Sequence, residues 1–358
     1  MATSLVAELE GCPQVRELSR EGMREVFLTL PGAGPEALEA AAAYVEQTYG
    51  ATVVRAQCFG PARPEEWELP ARPTTCVLGD STTPGLGGLH LRAVAGAEVT
   101  PLLLGNRTVG TVVAGPYAVE VMVDGIHAAD TSAPRGAQAR VTFEELEQAL
   151  AGAGVTFRHV ARTWLYLEDL LGWYGDFNRV RTGFFTERGI FDGVVPASTG
   201  IGGGNPYGAA VEAAAYAVLP RDPRVRVEAV PSPLQCPALH YGSSFSRAVE
   251  IAMPDLRRLL VSGTASIAPG GESEHRGDVT AQTARTCEVV RAILTSRGMD
   301  WADVTRATVY VREAQDAGCW EEYRRAQGIP ELPVLVTHNV VCRDDLLFEI
   351  EVDATQGG

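Results

Sequence analysis

Hydrophobic residues recur along this chain at two different periods, and the switches between them mark out its elements. Toward the C-terminal end, Arg247–Ala252 and Arg257–Thr264 alternate apolar and polar positions around Met253-Pro-Asp, predicting an antiparallel strand pair. From Val279 to Arg297 the period lengthens. Ala284, Cys287, Val290, Ala292 and Leu294 fall near helical spacing, and Gly298 is placed to cap the helix. Val304–Val311 is again alternating and β-branched, hence a strand. Trp320–Gln327 reads as a second helix stopped by Gly328 and Pro330, and Val334–Cys342 with Leu346–Asp353 closes the unit as paired strands. The order is ββαβαββ, an α/β (α+β) unit with a mixed sheet and its helices on one face.

The same pattern occurs earlier. Ala281-Gln-Thr-Ala-Arg-Thr-Cys-Glu288, Leu294, Gly298 and Arg306-Ala-Thr-Val-Tyr310 match Ala137-Gln-Ala-Arg-Val-Thr-Phe-Glu144, Leu150, Gly154 and Arg162-Thr-Trp-Leu-Tyr166 at a constant offset of 144. Pro333 and Glu349 match Pro196 and Glu212 at 137, and Val261-Ser-Gly263 matches Val123-Asp-Gly125 at 138. Offsets that change only at loops predict a duplicated unit. Ahead of it lies an N-terminal extension, read as strand Glu25–Leu30, helix Pro35–Tyr49 and strand Ala51–Phe59. Pro61–Thr75 reads as an irregular connector and Thr82–Gly88 as a glycine-containing loop. The expected division is 1–232, extension plus divergent first copy, and 233–358, second copy.

Composition narrows the chemistry. All 30 basic residues are arginine. Without lysine there is no Schiff base, pyridoxal-phosphate anchor or P-loop. Net charge is −15, which argues against nucleic acid or an anionic membrane surface. Guanidinium forks still bind small carboxylates well. The 7 cysteines include no C-x-x-C pair and the 6 histidines show no metal-like spacing, predicting reduced thiols, a cytoplasmic setting and no metal. No apolar run is long enough for a membrane helix.

Leu260-Val-Ser-Gly263, Gly277-Asp-Val-Thr-Ala-Gln282, Trp301–Val311 and Phe348-Glu-Ile-Glu351 resemble the reactive-intermediate deaminase (Rid/YjgF) family over the last third of the chain. Neither copy keeps the carboxylate-gripping arginine that Rid proteins carry just after the proline at Pro333. Those proteins are single-copy chains that usually trimerise. A longer resemblance, through Trp173–Arg181, Pro196–Gly203, Tyr241–Arg247 and the Rid-like end, is to chorismatases, of the type that forms 3-hydroxybenzoate. It implies cleavage of chorismate with release of pyruvate, no cofactor, and an active site between the halves. The internal duplication then predicts a monomer with a pseudo-oligomeric interior.

The resemblance assigns Glu349 as the acid that protonates the enolpyruvyl methylene; a carboxyl kept neutral by burial suits that task. It also implies that Cys342, seven residues before Glu349, biases the product toward 3-hydroxybenzoate. For the two substrate carboxylates the candidates are Arg162, Arg179, Arg181 and Arg247, with Tyr174, Thr199, Tyr207 and Gly242 as further contacts. The glycine-rich stretch Ala197–Tyr207 reads either as an anion-binding backbone or as a simple connector. Three alternatives stay open: hydrolytic cleavage to 3,4-dihydroxycyclohexa-1,5-dienecarboxylate, Rid-like deamination, and non-catalytic metabolite binding.

Overall fold

A computed structural model describes residues 13–61, 63, 67 and 70–357. Three sheets make up the molecule. The first holds β1 (Gln14–Arg20), β2 (Met23–Pro31), β3 (Thr52–Gly60), β4 (Thr75–Leu78) and β5 (Gly88–Ala95), in the order β1-β2-β5-β3-β4, with helix α1 (Leu38–Tyr49) against it. The second holds β6 (Glu98–Leu104), β7 (Arg107–Ala114), β8 (Ala118–Ile126), β9 (Val160–Leu167), β10 (Ala197–Gly202) and β11 (Val211–Pro220), ordered β10-β9-β11-β8-β7-β6, with α2 (Arg135–Gly152) and α3 (Leu170–Glu187). The third holds β12 (Arg226–Val230), β13 (Ala248–Met253), β14 (Leu256–Ala265), β15 (Val304–Val311), β16 (Val334–His338) and β17 (Phe348–Gly357), ordered β12-β13-β14-β17-β15-β16, with α4 (Val279–Ser296) and α5 (Cys319–Ala326).

The expected duplication is present, and the extension goes further. Each sheet carries an equivalent hairpin (β1/β2, β7/β8 or β13/β14), places its last strand in the centre, and has one parallel pair: β3/β4, β9/β10 or β15/β16. Each also shifts register in the same place, just before Arg55, Arg162 and Arg306. The first sheet is thus a third, abbreviated copy, in which the connector from Pro61 stands where the others have a second helix. Thr75, expected in that connector, instead opens β4; several connector residues lie outside the described ones.

Two boundaries differ from expectation for visible reasons. Ala197–Gly202 is a strand rather than loop, because it pairs in parallel with Arg162–Leu167. The strand from Val334 stops at His338 because the chain turns outward to join the other two sheets. Asn339 donates from its side-chain amide to Leu78 O and Gly202 O (3.2 and 2.9 Å), and Gly202 N–H donates to Val340 O (2.8 Å).

Helices cover the outer faces. In the third unit Cys287, Val290, Ile293 and Leu294 lie on α4 at helical spacing and pack on Leu259, Val309 and Ile350. The inner faces meet around a pseudo-threefold axis, where equivalent positions form layers. Phe59, Tyr166 and Tyr310 meet edge to face at 5.8 and 6.2 Å. Arg55, Arg162 and Arg306 all approach the Trp164 ring, at 3.4, 5.0 and 5.6 Å. Farther along, Glu25, Glu120 and Arg258 occupy equivalent positions. Arg258 reaches Glu25 at 2.6 Å and Glu120 at 3.0 Å, while Arg20 and Arg92 bridge the same two carboxylates. Removing one partner from such a buried set strands the others, a loss of about 3–5 kcal/mol.

Candidate active site

Where β10 runs beside β14, the second and third sheets part to form a cleft of about 300 Å³. The seam is pinned by polar groups: Ser198 N–H donates to Ser262 Oγ (2.9 Å), and Gly263 N–H donates to Thr199 Oγ1 (3.0 Å). Helix α3 supplies Tyr174, Asn178 and Arg181 to the wall. The segment before β13 supplies Ser243, Phe245 and Arg247, and the loop before β17 supplies Cys342 and Arg343. Glu349 lies on β17, paired with Tyr310 across the sheet, and lines the cleft from its floor.

Burial raises the Glu349 carboxyl to about 8, and the ionised Glu351 nearby adds to the rise; Arg162 and Arg247 oppose it without cancelling it. Glu351 goes the other way. Burial alone would raise it, but Arg306, Arg162 and the Thr199 hydroxyl hold it at about 2. Arg162 Nη2 lies 2.8 Å from Glu351 Oε2, and Arg306 donates to Oε1. Two glutamates, two residues apart on one strand, are therefore split: Glu351 is a fixed anion and Glu349 a neutral acid. Such a separation marks acid and base roles in catalytic sites. Gly263 makes room for it, because a Cβ there would overlap Glu349 Oε1.

Three arginines line the same cleft. Arg181 donates to Asn178 Oδ1 (2.6 Å) and lies over Phe177 and Phe245; Arg247 donates from Nε to Cys236 O (3.0 Å); Arg343 donates to Gly271 O (2.8 Å). Each guanidinium is thus oriented by protein acceptors while lining the space. The Cys342 thiol is pushed up to about 12 by burial and by Glu349, so it stays protonated at neutral pH.

Of the expected site residues, Glu349, Cys342, Tyr174, Arg181 and Arg247 line one cleft. Thr199 and Arg162 lie behind its floor and contact Glu351; Arg162 is fully buried on the axis, where it holds that anion rather than facing the cleft. Gly242 caps a short 3₁₀ turn at φ 83°, next to the lining residue Ser243. Arg179 is exposed on the outer side of α3 and pairs with Asp176, away from the cleft, because it lies two residues from the inward-facing Arg181. Tyr207 is elsewhere, stacked on His127. Arg343 and Asn178 went unrecognised. Arg343 directly follows Cys342, and Asn178 lies on the helix three residues before Arg181, so both signals were local.

Among the described residues, no group of three or more His, Cys, Asp or Glu side chains could hold a metal ion, and no helix is long and apolar enough to cross a membrane.

A family model described as endoribonuclease L-PSP matches residues 238–356. A chorismatase of Streptomyces rapamycinicus is 34% identical over 215 residues, covering 54% of this chain and 63% of that protein. The match thus spans somewhat less than two thirds of that relative's length. A 3-hydroxybenzoate synthase of Streptomyces hygroscopicus is 29% identical over 252 residues, covering 62% of this chain and 68% of that protein. The crystal structure of a chorismatase superposes with a TM-score of 0.67 at 22% identity, over 84% of this chain and 92% of the other, a likeness of fold. The chain carries chorismatase-family homology and ends in a Rid/YjgF-like unit.

Proposed function

We propose that the chain binds chorismate in the cleft between its second and third sheets and converts it to 3-hydroxybenzoate and pyruvate. The observation that carries the reading is Glu349: a carboxyl held neutral to about pH 8 on the floor of a cleft lined by Arg181, Arg247 and Arg343. Chorismate is a dicarboxylate bearing a vinyl ether, and the cleft volume of about 300 Å³ suits a small-molecule ligand. The arginines take its two carboxylates.

Glu349 gives its proton to the enolpyruvyl methylene, and the ether becomes an oxocarbenium ion. The C4 hydroxyl then attacks C3, and the C3–O bond breaks with its electron pair. Pyruvate leaves, and the C4 hydroxyl proton returns to the Glu349 carboxylate. The resulting ring epoxide opens and loses a ring proton as it aromatises to 3-hydroxybenzoate. The atoms balance without added water. Cys342, protonated beside Glu349, shapes this part of the cleft so that the internal hydroxyl competes successfully with solvent. If water captured the oxocarbenium carbon instead, the products would be pyruvate and the dihydroxydiene acid. Purified protein is incubated with chorismate, and products are resolved by chromatography and mass. Pyruvate with 3-hydroxybenzoate supports the full reading; pyruvate with the dihydroxydiene acid removes the role of Cys342; absence of pyruvate refutes the reaction.

A further inference from the structure

The pseudo-threefold arrangement creates three equivalent seams, and the one between the first and second sheets has kept its acid. Glu212 pairs with Tyr166 across β11 and β9 just as Glu349 pairs with Tyr310. We propose that this seam is a second, non-catalytic binding site for a hydroxylated ring carboxylate, closed in the present structure by Tyr207.

Glu212 is fully buried. Its Oε1 accepts from Cys76 N–H at 2.9 Å, while Oε2 has no hydrogen-bond partner among the described residues. Leaving a buried polar atom unmatched is unfavourable. The third seam, between the third and first sheets, shows what disposal of the acid looks like. The position equivalent to Glu349 there is Gly88, and Leu335 fills the space, with Cδ2 only 2.7 Å from where a Cβ would sit. One seam has been sealed with an apolar side chain; the other retains a carboxyl oxygen without a hydrogen-bond partner among the described residues.

Glu212 and Cys76 both act electrostatically on Tyr207, which makes that ring the side chain that can open this seam. Tyr207 stacks on His127 with ring centroids 4.0 Å apart and planes 19° from parallel, and both rings are half-buried. On its other side Tyr207 borders a separate cleft of about 550 Å³, walled by Gly202–Gly204 and Gly208. Asn205 Oδ1 accepts from Tyr207 N–H and Ala209 N–H (3.2 and 3.0 Å), so the backbone turn stays put and the ring swings into that space by rotating about its own side-chain bonds. A ligand ring would then take the place of the Tyr207 ring against His127. Arg107, which acts electrostatically on both His127 and Tyr207, is half-exposed and now pairs with Glu145 at 3.5 Å; a ligand carboxylate would take over that loose surface pair. The Glu212 carboxyl, kept neutral by burial, would exchange hydrogen bonds with a ring hydroxyl.

The ligand class is read from these side chains. That 3-hydroxybenzoate is its physiological member rests on the proposed reaction. Equilibrium dialysis with 3-hydroxybenzoate distinguishes the two: binding stoichiometry does not depend on turnover, whereas chorismate cleavage is assayed separately. Two molecules per chain are expected for the native protein and one for Glu212→Leu, with chorismate turnover in that variant within about twofold of native. Tyr207→Ala, which removes the cover, should tighten the weaker site by about fivefold or more, and serves if Glu212→Leu does not fold. No binding in both the native protein and Tyr207→Ala overturns the proposal, as does any binding that survives Glu212→Leu undiminished; a single molecule lost in Glu212→Leu supports this site and counts against product binding at the other.

Discussion

Replacing Glu349 by glutamine keeps its shape and hydrogen-bonding reach but removes the proton on which the site is built. A carboxyl that titrates at 4.5 in the unfolded chain and at about 8 in the fold holds an extra proton in the folded state between those values. Its contribution to stability therefore declines as pH rises from 4.5, by about 1.4 kcal/mol per pH unit, and levels off above about 8. At pH 7.5 the accumulated loss is about 4 kcal/mol. Glutamine does not titrate, so Glu349→Gln should escape it. Urea denaturation at pH 5 and pH 7.5 measures this directly: the variant should gain about 3 kcal/mol on the native protein between the two pH values. Pyruvate release should fall by at least about 10²-fold. In the native enzyme kcat/KM should decline above about pH 8, where the donor ionises. Parallel stability curves for the two proteins would refute the claim that Glu349 is held neutral.

The other predictions use the same assays. Gly263→Ala drives a Cβ into Glu349 Oε1 and should lower kcat by about tenfold or more while the chain stays folded by circular dichroism. Cys342→Ala should shift product toward the dihydroxydiene acid at similar total pyruvate; an unchanged ratio would dismiss the thiol. Arg247→Met and Arg343→Met, tested singly, should each raise KM for chorismate by about tenfold or more, and normal KM in both would remove them from the carboxylate sites. Glu120→Gln, which weakens the links to Arg20, Arg92 and Arg258, should lower the unfolding free energy by about 3 kcal/mol in urea with little change in KM.

The second and third units were legible because their anchors are geometric necessities: Arg162 and Arg306 follow the register shift, Glu212 and Glu349 face the seam, Gly263 leaves room for Glu349, and Gly125 lets the backbone of Thr74 approach. The first unit lost those markers. Gly88 stands where the glutamate would be, and a proline-rich connector replaces a helix, so only its strand–helix–strand middle could be read. Arg162 shows a different limit. An arginine inside an apolar strand signals a buried anion, but sequence cannot say whether that anion is a ligand or, as here, Glu351 from a strand 189 residues away. For Tyr207 the glycine-rich segment was visible, yet the seam it borders depends on how three sheets close around an axis. No local spacing encodes that closure.

Joining three like sheets in one polypeptide has a consequence for how such a protein can change. In a homotrimer every substitution is made three times at once, so an axial position must suit three copies of itself. Here Glu25 and Glu120 can face Arg258 at equivalent positions, an arrangement of unlike partners that identical subunits cannot adopt. The covalent links also make assembly of these three units a first-order event, independent of dilution. Each seam is free to drift alone, so an acid can be kept, capped or deleted at one without disturbing the rest.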